Sequence, residues 1–184
     1  CLPSTDRSPD VRALLRSELL KQRSTRTALG LFAAMLLLVL LAVLLHGLLP
    51  AEALRSPNNQ LTILGRGEFL GALFAGLVGA LSVTAENRYG TIRPTFLVSP
   101  RRARVVWAKV WACVLTGSAF GLTAGAVAVA AGAAAFRARG IDLRLDGGDY
   151  VLLVAGATGA AALWAAIGVG VGAVVRHQVP TVVG

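Results

Sequence analysis

Ala28-Leu29-Gly30-Leu31-Phe32-Ala33-Ala34-Met35-Leu36-Leu37-Leu38-Val39-Leu40-Leu41-Ala42-Val43-Leu44-Leu45-His46-Gly47-Leu48-Leu49 runs for 22 residues without an acidic or basic side chain other than His46. At 1.5 Å per residue a helix of this length covers about 33 Å, the hydrocarbon thickness of a bilayer. Three further runs lack Asp, Glu, Lys and Arg: Phe69 to Ala85, Val110 to Phe136 and Tyr150 to Val175. The second, at 17 residues, is the shortest and needs Glu68 or Glu86 near a headgroup. Of the 184 residues 55% are hydrophobic and 15% charged, and the mean hydropathy is +0.69. A soluble domain of this size has no core large enough to hide that much apolar surface, so lipid is the solvent. The runs are continuously apolar instead of alternating at period two, which excludes a β-barrel and leaves helices. The expected fold is an all-α, polytopic bundle with spans near 28–49, 68–85, 105–136 and 150–175.

The basic residues fall in blocks beside these runs. Six precede the first span (Arg7, Arg12, Arg16, Lys21, Arg23, Arg26), and Arg88, Arg93, Arg101, Arg102, Arg104 and Lys109 lie around the loop after the second. With Arg176 they make 13, against five on the alternate side: Arg55, Arg66, Arg137, Arg139 and Arg144. The positive-inside rule places the amino terminus and the loop at 86–104 in the cytoplasm, and it accounts for the net charge of +9 without nucleic acid. No cleavable leader is evident, because the first run is too leucine-rich and begins too far into the chain. The missing initiator Met, and an apolar Thr181-Val182-Val183-Gly184 after Pro180, lead us to expect a chain that stops short of further spans.

Residues 1–27 form a cytoplasmic segment. Within it, Val11, Leu14, Leu15 and Leu19 share one side at 100° per residue, while Arg12, Arg16 and Arg23 cluster elsewhere. An interfacial helix fits, although Glu18 and Gln22 fall on the apolar arc. Gly117, Gly121 and Gly125 recur every four residues in the third run, and Gly168 and Gly172 do so in the fourth. Such ridges let helix backbones approach closely, so the third span is expected to be packed among helices. Cys1 and Cys113 offer no disulfide framework and no metal-ligand spacing. His46 is the one ionisable group inside the runs, which speaks against an ion-gradient relay.

The loop Glu86-Asn87-Arg88-Tyr89-Gly90-Thr91-Ile92-Arg93-Pro94-Thr95-Phe96-Leu97-Val98-Ser99-Pro100-Arg101-Arg102-Ala103-Arg104 is basic and punctuated by turn residues. Pro94 discourages helix at Arg93, and Ser99-Pro100 reads as N-cap and N1 of the next helix. Arg101, Arg102, Arg104 and Lys109 then oppose the dipole of that helix and call for lipid phosphate or an acidic protein surface. Glu86, Tyr89-Gly90-Thr91, Ser99-Pro100-Arg101 and Lys109 together resemble the loop between the second and third spans of type-2 ABC exporter permeases, particularly actinobacterial ones. Glu18-Leu19-Leu20-Lys21 is similar to that family's opening segment.

The resemblance covers the whole chain in layout and about 25 positions in motif. It implies six spans per permease, of which four are present here, and a second permease copy, homo- or heterodimeric, in the bacterial inner membrane. It implies that Glu86, Arg88, Gly90, Thr91 and Arg93 contact a separate ABC ATPase, and that Pro100, Arg101, Arg104 and Lys109 set the start of the third span. ATP and Mg would be bound by that partner; this chain has no Gly-x-x-x-x-Gly-Lys-Ser/Thr loop and is expected to bind no cofactor. No His-Glu-x-x-His, Gly-x-Ser-x-Gly or paired acid inside the runs offers catalytic residues or a metal site. A polytopic scaffold or assembly subunit, in which the basic loop serves only topology, is the alternative.

Overall fold

The computed structural model describes residues 11–88, 102–143 and 145–182, and the chain there is helical, with no strand among the described residues. Among the described residues seven helices follow one another: α1 (Val11–Ser24), α2 (Arg26–Gly47), α3 (Ala51–Leu54), α4 (Pro57–Leu64), α5 (Arg66–Arg88), α6 (Arg102–Ala138) and α7 (Gly147–Val182). Thr25 separates α1 from α2 with an extended backbone (φ −81°, ψ 125°), and its hydroxyl donates to Gln22 O at 2.9 Å. Pro57 opens α4, where its missing N–H costs no helical bond. Gly140, at φ +64°, closes α6 in a left-handed turn. Ile141 N–H then reaches back to Phe136 O at 3.0 Å and Gly140 N–H to Arg137 O at 3.0 Å, while Ile141 buries against Phe136. Those two bonds satisfy carbonyls that the helix end would otherwise leave open.

Among the described residues four segments are long and apolar enough to cross a membrane: Arg26–Gly47, Pro57–Thr84, Val106–Ala138 and Gly147–Val175. The chain is a multi-pass helical membrane protein. Its second crossing begins earlier than the apolar run indicates, because α4 leads through Gly65 into α5 and Arg66 and Glu68 lie inside the combined segment. The leucines of α2 are largely bare, with Leu37 67% and Leu29 60% exposed, as expected of a surface that meets lipid.

Helices α5, α6 and α7 form the tightest part of the bundle, α2 lies along α6 and α5, and α1 rests on α6. Small residues set the close approach. A Cβ at Gly67 would sit 2.5 Å from Ala124 O, and one at Gly71 would sit 3.3 Å from Gly121 Cα. Gly117 and Gly121 face α7, where an added Cβ would meet Ala161 O at 2.7 Å or overlap Ala157 O respectively; Gly125 faces Ala157 Cβ at 3.1 Å. The same pairing joins α7 to α5, since a Cβ on Gly168 would overlap Gly76 O and one on Gly172 would lie 2.6 Å from Ala80 O. Larger residues fill the remaining space: Met35, Val39 and Val43 of α2 meet Phe74, Val78 and Phe120 in one buried cluster. Leu54, Ile63, Leu64, Phe136 and Ile141 form a second cluster at the end away from the 86–104 loop.

Candidate functional site

At the loop end of the bundle, α1 turns Leu15, Glu18, Leu19 and Gln22 toward α6, an i, i+3, i+4, i+7 stripe. Arg16 and Leu20 are left exposed. Glu18 and Gln22 sit on the apolar arc because their partners lie on α6, not because the helix is weakly amphipathic. Lys109 Nζ donates to Glu18 Oε2 at 2.8 Å, with the two side chains only 11% and 9% exposed, and also reaches Ser82 O of α5 at 3.4 Å. One turn along α6, Cys113 Sγ donates to Ser82 Oγ at 3.3 Å and accepts from Gln22 Nε2 at 3.2 Å. Thr116 Oγ1 is shared between Gln22 Oε1 and Ala112 O, the latter at 2.9 Å. Lys109, Cys113 and Thr116 thus form an i, i+4, i+7 row that stitches α1, α5 and α6 together. Opposite charges held at this distance neutralise each other, so Lys109 can lie two turns inside α6 without reaching water.

Beside this row α1, α2 and α6 border a half-open cavity of about 430 Å³. Leu19, Leu29, Phe32 and Phe120 give it an apolar wall, and Gln22 and Thr116 supply its polar edge. Phe32 and Phe120 meet edge to face with centroids 5.0 Å apart.

A second polar group lies in the other half of the bundle. Arg66 Nη2 and His46 Nε2 are 3.1 Å apart, and His46 Nδ1 is 2.7 Å from Ala42 O. Arginine can only donate, so Nε2 accepts and the imidazole proton resides on Nδ1, where it bonds the helix carbonyl. Arg66 Nε is buried without a hydrogen-bond partner among the described residues. Glu68, two residues on, points about 200° away around α5 toward Gly156 of α7 and has no side-chain partner among the described residues. These two charges lie deep. The residue between them, Gly67, abuts Ala124, 13 positions and about 20 Å from Arg137 along α6, while Gly156 is seven positions and about 10 Å from Asp149 along α7. The second candidate crossing, Pro57–Thr84, contains Arg66 and Glu68, so by length and apolarity these two join His46 as ionisable groups within the candidate spans.

Glu86 and Arg88 fall in the last turn of α5, and Arg104 in the first turn of α6; the structure describes their backbone only. Gly90, Thr91, Arg93, Pro100 and Arg101 lie outside the described residues. Lys109 engages Glu18, while Gly117, Gly121 and Gly125 line the seam with α7. Sequence reading did not join Glu18, Gln22, Ser82, Cys113 and Thr116; the matching i, i+4 spacing on α1 and α6 is the signal that could have done so. Among the described residues no three His, Cys, Asp or Glu side chains are grouped to hold a metal ion.

Fold and polar clusters together define a multi-pass helical membrane protein with one helix pinned across its loop end. No family model, curated protein or solved structure matches the chain.

Proposed function

We propose that this chain is the permease subunit of an ATP-driven exporter in the bacterial inner membrane, with a cytoplasmic amino terminus, a second permease copy and a separate ATPase that binds ATP and Mg. The observation that carries the reading is where the basic loop is rooted. It joins α5 to α6, the two helices whose backbones meet at Gly67 and Gly71 against Ala124 and Gly121, so a push on the loop moves a close-packed pair instead of bending a lone helix. Lys109 and Glu18 extend that body to α1. The 86–104 motif supports the choice of an ATPase as the source of the push. For coupling, the two permease states must differ in their contacts with the ATPase, since otherwise nucleotide could not shift their populations.

The test is co-purification and transport-coupled hydrolysis with an ABC ATPase subunit, sought first in the neighbouring reading frames. Glu86→Lys is expected to lose ATPase binding or stimulation, because repulsion at a docking surface costs several kcal/mol. Glu52→Lys, an exposed charge reversal at the opposite end, is expected to behave as wild type. If Glu86→Lys couples normally, or if no ATPase associates with the chain, the exporter reading fails and a membrane scaffold, with the loop serving topology alone, takes its place.

A further inference from the structure

The half-open cavity between α1, α2 and α6 has an exposed rim of Leu29, Leu115 and Ala119. Its volume, about 430 Å³, lies in the range of small-molecule sites, roughly 300–1,000 Å³. The polar atoms on its edge are already engaged: Gln22 bonds Cys113 and Thr116, and Thr116 also bonds Ala112 O. The interior therefore suits hydrocarbon, and around a membrane-spanning bundle the nearest hydrocarbon is an acyl chain.

The mouth of the cavity lies at a membrane border. Phe32 meets Phe120 and Gly47 faces Ala135 at the same sequence offset, so α2 and α6 run side by side in one direction and Arg26 comes level with Val114. Trp111 and Trp107 are exposed on α6 one and two turns before Leu115 and on the same side, as aromatic residues at headgroup level are. Basic charge gathers at this level. From Val11 to Phe32 the chain carries Arg12, Arg16, Lys21, Arg23 and Arg26 against one acid, Glu18, which Lys109 neutralises. At 100° per residue, positions 12, 16 and 23 fall within about 60° of Leu19, a wall of the cavity, on the side of α1 away from Glu18. Arg26, in the first turn of α2, stands about 60° from Leu29. Arg16 and Arg26 are exposed, and neither forms an ion pair among the described residues.

An apolar slot with an unmatched basic rim at headgroup level fits a molecule with an anionic head and a hydrocarbon tail. We propose that the cavity binds an anionic phospholipid, one acyl chain lying along Leu29, Phe32 and Leu115 and the phosphate held by the basic row of α1 and by Arg26. Arg26 and Phe32 are six residues and about 9 Å apart along α2, so the phosphate stays at the rim while the chain reaches the Phe32–Phe120 contact. A lipid bound in this way ties α1 to α2 across the break at Thr25. The site stands on the membrane-spanning class of the protein and goes beyond the exporter reading without needing it.

The experiment is native mass spectrometry of the full chain in detergent micelles, titrated with dioleoyl phosphatidylglycerol or with dioleoyl phosphatidylcholine, which has the same chains and no net charge. Wild type is expected to retain the anionic lipid about tenfold more tightly. Arg16→Gln/Arg23→Gln/Arg26→Gln is expected to bring that preference to within about twofold of parity, whereas Arg55→Gln, an exposed arginine at the other end of the bundle, keeps it. Ala119→Phe and Leu29→Trp, which fill the cavity from opposite walls and leave every charge in place, are each expected to weaken retention of the anionic lipid by about tenfold. All variants are read as monodisperse protein on gel filtration, and the two filling variants give independent readings. Excess glycerol 3-phosphate, the headgroup without chains, is expected not to displace the lipid. No preference in wild type, a preference that survives the triple variant or falls equally in Arg55→Gln, undiminished retention in both filling variants, or displacement by glycerol 3-phosphate would overturn the proposal. The ATPase co-purification does not read lipid retention, so failure of the exporter reading shows there and failure of this site shows here.

Discussion

Glu18→Ala should release α1 from the bundle without unfolding it. The change leaves the Lys109 ammonium beside Ser82 O with its counter-charge gone, and removing one partner of a buried ion pair costs about 3–5 kcal/mol. Among the described contacts that hold α1 besides this pair, Leu15 and Leu19 are half-buried and contribute about 1–1.5 kcal/mol apiece, and the Gln22 bonds to Cys113 and Thr116 add about 1 kcal/mol each. The two sums are comparable, so α1 lifts off and Lys109 turns toward water; the loss of stability levels off near the docking free energy. Hydrogen exchange of the α1 amides in detergent is the assay. Protection from docking should fall by about a hundredfold or more in Glu18→Ala and in Lys109→Met, since 1.4 kcal/mol corresponds to a factor of ten. The double variant Glu18→Leu/Lys109→Met, which replaces the pair by apolar contact, should return protection to within about 1 kcal/mol of wild type. Unchanged protection in either single variant, or a double variant that merely adds the two losses, would falsify the ion pair as the fastener of α1.

Gly121→Leu should prevent assembly of α6 on α7, because even a Cβ overlaps Ala157 O; Gly30→Leu, where nothing lies within 4 Å, should leave thermal stability within about 0.5 kcal/mol of wild type. Equal behaviour of the two in a thermal melt would mean that the α6–α7 seam is not close-packed. A topology reporter fused after Arg102 should report cytoplasm and one near Asp146 the outside, as the 13-to-5 charge split requires; the reverse pattern would invert the assignment of the loop.

The membrane class was legible from four uncharged runs, since a helix in lipid declares itself by length and apolarity, which are local properties. Depth was not. The start of α5 carries Arg66 and Glu68, which a sequence places at a headgroup by default, and only contact with Ala124 and Gly156 fixes how far in they lie. Glu18 and Gln22 fell on the apolar arc of α1 in the sequence as they do in the structure, but their partners Lys109, Cys113 and Thr116 stand 91 to 94 residues away, beyond any periodicity. Gly117, Gly121 and Gly125 show why glycine spacing is a better guide to packing than to partners: the ridge was visible, and the helix it meets was not. The 86–104 motif lies mostly outside the described residues, so its reading rests on residue pattern alone.

The uneven character of the crossings also bears on how the chain reaches the membrane during synthesis. Helix α2 is the most apolar of the candidate crossings, buries little of itself in protein and emerges before α5, so it can partition into lipid unaided. Helix α5 emerges with Arg66, Glu68 and bare glycine grooves before α6 and α7 exist to cover them. Its polar start and its glycine grooves are covered only once α6 and α7 follow, so α5 is expected to stay loosely held over the 50 residues that separate Arg88 from Ala138. Halting translation within that interval would leave α5 extractable by alkali while α2 remains embedded.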